Sequence, residues 1–264
     1  GTAELTLGPD KLDIKVNVIA VGTVTVEGCT ETELQSGTAT VLHAKGTLVI
    51  LKGKITGLYC WGNQLTSLDV QGCTALQKLW CWENRLTALD VQGLTSLQYL
   101  TCRDNQLTAL NVQGCTALQE LHCHHNQLTA LNVQGLTALL GLYCHHNQLT
   151  ELNVQGCASL QEMDCQRNQL TALNVQGCTA LRQLICGGNQ LTAQAFTKLF
   201  DDLPVRADSD DAKCILYTEE SGVTEGNHTD FTAPPDLAAA FNNAKNNKKW
   251  KMYKWNGSWP GVEI

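Results

Sequence analysis

From residue 58 the chain alternates apolar and polar positions in a pattern that returns every 21 residues. The stretches LYCWGNQLTSLDVQGCTALQK (58–78), LWCWENRLTALDVQGLTSLQY (79–99) and LTCRDNQLTALNVQGCTALQE (100–120) align without a gap. Four more follow, and the last, beginning at Leu184, departs after its first half. Within each, Leu-x-Cys-x-x-Asn alternates with period two, the mark of a short half-buried strand. Leu79, Cys81 and Leu86 are therefore expected inside, with Trp80 and Trp82 outside. Stacked coils lay such strands into one parallel sheet at a spacing of ~4.8 Å. A coil this short buries its apolar face only against neighbours, so the array needs a cap at each end.

The flanking regions read as those caps. Lys11–Ala20, Thr23–Gly28, Thr38–Ala44 and Thr47–Lys52 are predicted as short strands, and Val49–Leu58 as a degenerate half-coil that seals the first repeat. Beyond the repeats, Ala193–Asp202 is predicted helical, Lys213–Thr218 a strand, Pro234–Lys248 a helix and Trp250–Trp255 a last strand. The two strands should extend the parallel sheet and close its edge. The expected division is a β-rich N-terminal cap over 1–57, seven repeats over 58–192 and an α/β C-terminal cap over 193–264.

Two columns repeat with structural meaning. Asn63, Asn84, Asn105, Asn126, Asn147, Asn168 and Asn189 stand at the strand ends, where an amide can pair backbone groups left open by the turn. Cys60, Cys81, Cys102, Cys123, Cys144, Cys165 and Cys186 stand between inward leucines, as small apolar fillers. A second set, Cys73, Cys115, Cys157 and Cys178, shares its slot with Leu94 and Leu136, so apolar volume and not thiol chemistry is what the slot needs. Same-register residues on parallel strands also lie too far apart for the ~3.8 Å Cβ separation of a disulfide. The thirteen cysteines are expected reduced and inert.

Superposing the repeats exposes three variable outer columns. One runs Tyr59, Trp80, Thr101, His122, Tyr143, Asp164, Ile185; the next Trp61, Trp82, Arg103, His124, His145, Gln166, Gly187. The third, at the strand exit, runs Gly62, Glu83, Asp104, His125, His146, Arg167, Gly188. Variation on one face of a constant scaffold is where recognition is usually carried. Tyr59, Trp61, Trp80, Trp82, Arg103, His122, His124, Tyr143 and His145 are the candidate ligand-binding residues. The four aromatic rings suit a protein anchor or a platform for sugar rings, or else they cover the junction with the N-terminal cap. His122, His124, His125, His145 and His146, with Asp104 or Glu120, offer metal-ligand chemistry as an alternative. Histidine's ordinary pKa near ~6.5 favours instead a pH-sensitive ligand face.

Charge and composition narrow the classes. A net charge of −7 over 264 residues argues against a nucleic-acid reader. No apolar run approaches the ~20 residues that span a bilayer. No secretion leader opens the sequence, and no LPxTG-type sorting signal is present. No phosphate loop, nucleophile elbow or metalloprotease helix appears, and cysteines facing a closed core lack the exposure and base that a nucleophile needs. No catalysis and no cofactor are expected; a metal-binding or enzymatic Cys/His protein is the alternative.

The motif L-x-C-x-x-N-x-L-T-x-L-x-V over residues 58–192 resembles the cysteine-ladder subclass of bacterial leucine-rich-repeat surface proteins, the internalins. The resemblance implies an α+β repeat solenoid: a right-handed leucine-rich-repeat coil with a parallel concave β-sheet and the two caps described. It further implies a ligand-binding or adhesion module, monomeric, that recognises a host or neighbouring-cell protein or glycan. The location it implies is the cell surface or the medium, with lipid anchoring through a leader ahead of Gly1 as one route.

Overall fold

The computed structural model describes residues Gly1–Ile264. The chain clusters into two compact units, Gly1–Leu128 and Thr129–Ile264, and in each it winds as a leucine-rich-repeat solenoid.

The first unit opens with β1 (Thr2–Leu7), β2 (Asp13–Glu27), β3 (Glu33–Leu34), β4 (Thr40–His43) and β5 (Leu48–Tyr59). Its repeats supply β6 (Leu65–Asp69), β7 (Lys78–Trp80), β8 (Ala88–Asp90), β9 (Tyr99–Thr101), β10 (Ala109–Asn111) and β11 (Glu120–His122). The last three residues of β5 begin a parallel ladder that continues through β7, β9 and β11, with Tyr59, Trp80, Thr101 and His122 in one register. On the opposite side of each coil, β8 and β10 pair in parallel. That second row is a feature the period-two reading did not anticipate.

The cap corrects two expectations and adds a strand. Lys11–Ala20 and Thr23–Gly28 form one strand, β2, because the turn at Gly22, with φ of 81°, is extruded as a bulge instead of ending it. Val49–Leu58 is no half-coil: it belongs to the 12-residue β5, antiparallel to β1 and β2. Its alternation buries Val49, Leu51, Ile55 and Leu58, and such a run pairs with the equally alternating β2 more completely than a turn-rich coil could. The added strand is β1, Thr2–Leu7, bonded to β5 on one side and β6 on the other.

The second unit contains β12 (Ala130–Asn132), β13 (Gly141–Tyr143), β14 (Glu151–Asn153), β15 (Glu162–Asp164) and β16 (Gln183–Ile185). Its closing segment is α1 (Ala193–Asp202), β17 (Lys213–Thr218), α2 (Pro235–Asn246), β18 (Lys251–Trp255) and β19 (Val262–Glu263). β13, β15, β16, β17 and β18 are parallel neighbours, as the helix–strand alternation predicts, and β19 adds an antiparallel edge that it does not. Thr192 caps α1 by accepting the Ala195 N–H. Phe196, Phe200, Phe231 and Phe241 stack around the helices at centroid distances of 5.1–5.8 Å.

The leucine and cysteine columns are fully inside: Leu79, Cys81, Leu86, Leu100 and Cys102 are all buried, and so are all thirteen cysteines, each a free thiol. Burial pushes Cys60 and Cys123 up to about 12 and Cys115 to about 11.

Five of the repeat asparagines, Asn84, Asn105, Asn126, Asn168 and Asn189, bridge two coils. Asn105 donates through Nδ2 to the carbonyls of Cys81 and Cys102, both at 3.0 Å, and accepts the Leu86 N–H at 3.0 Å. Asn84, Asn126, Asn168 and Asn189 repeat this pattern of bonds. The residue ahead of each asparagine's turn is left-handed: φ is 52° at Glu83 and 53° at Asp104. A second polar row marks the other bend, where Asp90 accepts the Gln92 N–H and Asn111 the Gln113 N–H.

Two measurements check this interior. Asn105→Leu strands one buried N–H and two carbonyls, at a cost of about 1–3 kcal/mol per unsatisfied group, so the variant should unfold several degrees lower; an unchanged melting temperature would contradict the bridging role. A soluble thiol reagent should label the native protein slowly at every cysteine and label all of them on unfolding, whereas rapid native labelling of several would contradict the closed core.

Candidate functional site

In the first unit, alternation sends Tyr59 and Trp80, with Trp61 and Trp82 two residues on, to the outer face of the parallel sheet. Trp61 and Trp80 are each 39% exposed, so the N-terminal cap does not cover them. Tyr59 meets Trp80 edge-on at 4.9 Å, and Trp61 stacks on Trp82 at 5.6 Å with their planes 6° apart. Tyr59–Trp61 at 6.4 Å and Trp61–Trp80 at 6.1 Å close the cluster. The Arg103 guanidinium lies 4.2 Å from the Trp82 ring centroid and also pairs with Asp104. This cation–π contact extends the stack by one coil.

A small residue makes the hollow. Thr101 sits between Trp80 and His122 in the register, and a hydroxyl and methyl leave space where the neighbours have rings. The result is an open hollow of about 290 Å³ lined by Trp80, Trp82, Tyr99, Thr101, Arg103, Glu120 and His122. Two of these, Tyr99 and Glu120, were missed as binding candidates. They belong to a further outward column that also holds Lys78, and extending the alternation one step back along each strand would have found it. Lys78 Nζ lies 5.1 Å from the Tyr99 ring, and Tyr99 Oη donates to Gln119 at 3.1 Å. Asn17, opposite Tyr59 on β2, was also missed; its Oδ1 is buried and accepts no hydrogen bond.

The histidines correct one expectation. His122 and His124 have ring centroids 6.1 Å apart, and His124 and His125 5.5 Å. Burial, reinforced by the Arg103 charge, holds His122 below its ordinary value. Burial first, then the neighbouring His122 and His125, bring His124 down to about 4. Both rings are therefore held below histidine's ordinary value, against the expectation of a face that gains charge near it. Partial burial beside positive neighbours opposes the imidazolium.

In the second unit, Tyr143 and His145 lie on one strand face. Tyr143 Oη donates to Glu162 at 2.9 Å, and Glu162 also pairs with Arg182 at 3.1 Å. His145 Nδ1 lies 3.2 Å from Asp164 Oδ2. Asp164, expected in the open outer column, is instead buried at 9% exposure, because Gln166 folds back and donates its backbone N–H and its amide, both at 3.2 Å. Burial raises its carboxyl from 3.8 to about 6, and the Gln166 bonds oppose that rise. The third outer column serves the turn: His146 and Arg167 are left-handed at 52° and 53°.

Asp164 has a stability signature. A carboxyl raised in the folded state favours the protonated form, so its contribution is fully present below about 4 and is lost as pH rises through about 6. Asp164→Asn should therefore melt above the parent at pH 7.5, by an amount on the order of 1–3 kcal/mol, and the gap should close toward pH 4. A variant that melts below the parent at both pH values would refute the raised carboxyl.

No protein-family model matches the chain, and no curated protein is similar enough to align with it. Among solved structures it is similar to the functional domain of InlJ from Listeria monocytogenes, which includes a cysteine ladder, at 27% identity and a TM-score of 0.45. The match covers 79% of this chain and 45% of that one, so the chain spans less than half the length of the protein it matches. No helix is long and apolar enough to cross a membrane. In this chain the cysteines at residues 60, 81, 102, 123, 144, 165 and 186 recur once per repeat, and all are buried free thiols.

Proposed function

We propose that the protein is a non-catalytic recognition module that binds a protein or glycan on the concave face of its solenoid. The observation that carries the reading is the open cluster of Tyr59, Trp61, Trp80 and Trp82 beside the hollow floored by Thr101. Large rings held half-exposed on a rigid sheet supply contact area at little entropic cost. Arg103, Glu120 and His122 around the hollow supply donors and acceptors that fix orientation. A flat apolar face edged with hydrogen-bonding groups, on a sugar ring or a partner's side chain, matches that arrangement.

The buried cysteines support the non-catalytic part of the reading, since burial holds these thiols far from the thiolate form. We assign residues 1–57 and 193–264 to caps and 58–192 to the recognition repeats. A monomer at the cell surface or in the medium is the setting this assignment fits.

The test combines Trp80→Ala with Trp82→Ala and screens the pair against a glycan array and a panel of extracellular proteins. Ligands captured by the parent should be lost by at least about tenfold, each tenfold being ~1.4 kcal/mol, with the melting temperature within a few degrees. Retained capture, or a collapse in stability, would return the rings to a packing role.

A further inference from the structure

We propose that the second unit has a ligand hollow of its own, bounded by Asp164, Ile185, Trp255 and Trp259, and that it receives a lysine side chain of a partner polypeptide. The inference does not depend on the reading given to the tryptophan cluster of the first unit.

The hollow has a volume of about 420 Å³. Its base follows one register line: Asp164 on β15 pairs with Ile185 on β16, and Ile185 with Ile215 on β17. Carboxylate and apolar base are thus one strand spacing apart, ~4.8 Å, a step that a four-methylene stem covers. The rings of Trp255 and Trp259, from β18 and the turn beyond it, line the same space, and Trp259 is 54% exposed.

Charge selects the occupant. Arg167 is engaged by Glu220 at 2.7 Å, and Glu220 also accepts the Trp255 indole N–H at 3.3 Å. Asp164 accepts hydrogen bonds from the neutral N–H groups of Gln166, and the His145 ring lies beside it at 3.2 Å. The lining holds two carboxylates, Asp164 and Glu220, against the single guanidinium of Arg167, an excess of negative charge that an incoming ammonium would offset. Indole faces add attraction for the same cation, and the isoleucine base suits an aliphatic stem. A sugar ring would lose water from its hydroxyls over the isoleucines without a replacement bond. An anionic ligand would meet Asp164 and Glu220.

The test follows the indole N–H resonances of Trp255 and Trp259 in the whole chain during titration. Nα-acetyl-lysine amide should shift both saturably, and Nα-acetyl-norleucine amide, which keeps the stem without the ammonium, should bind at least about tenfold more weakly. Asp164→Asn should weaken the lysine derivative by a similar factor while the remaining spectrum shows the fold intact. Trp80→Ala should leave this titration unchanged, which separates it from the first unit's site. Equal binding of the norleucine derivative, full affinity in Asp164→Asn, shifts produced by methyl glucoside in place of lysine, or no shift at all would each overturn the proposal.

Discussion

A repeat of this length turns sharply at the end of every strand, and the turn leaves backbone groups facing a closed interior where water cannot reach them. One side-chain amide per coil resolves this. Asn105 satisfies carbonyls in its own coil and the preceding one and takes an N–H from the preceding coil as well. Only an amide offers two donors and an acceptor at that reach; aspartate would lose the donors and leucine everything. The asparagine is thus a joint between coils as much as part of one, and it fixes their offset to the register in which Trp80 falls beside Tyr59.

The ends of such a series must also be satisfied, and the caps do this with the same chemistry. At the start, Asn63 exchanges bonds with the backbone of Lys15 on β2, donating to its carbonyl at 2.8 Å and accepting its N–H at 2.9 Å. At the far end Asn227, outside the 21-residue pattern, donates to the carbonyls of Cys186 and Leu216 and accepts the Leu191 N–H, each at 2.8 Å. It is a further rung supplied by a loop. This gives the C-terminal segment a polar role beyond covering apolar surface.

The coils were legible because inward leucine, cysteine and asparagine positions are each set by a local constraint that the period repeats. Solenoid class, buried thiols and the direction of the tryptophans all follow from alternation alone. The N-terminal cap was less legible: whether Gly22 ends β2 or bulges from it depends on the pairing of β2 with β5, which no local pattern records. Asn227 could not be found by spacing, since its partners are brought to it by the fold. At the site, Tyr99 and Glu120 were readable in principle, but the hollow depends on Thr101 being small between large neighbours, a relation across three coils.

The shifts at His124 and Asp164 share one cause. Five histidines on an outer face suggest groups that gain charge near pH 6.5, yet His124 sits at about 4 and the carboxyl of Asp164 at about 6. A sheet crowded with large rings withholds water from whatever stands between them, and both shifts go in the direction that disfavours charge. The identity of a side chain sets its ordinary pKa, but on this face its neighbours two residues away and one coil away decide which group titrates near neutrality. Trp80 and Trp259 are both open, and each borders a smaller or absent neighbour: Thr101 beside the first, the Gly257 turn before the second. Where this sheet meets a ligand is set by the gaps in its rows of large residues as much as by the residues themselves.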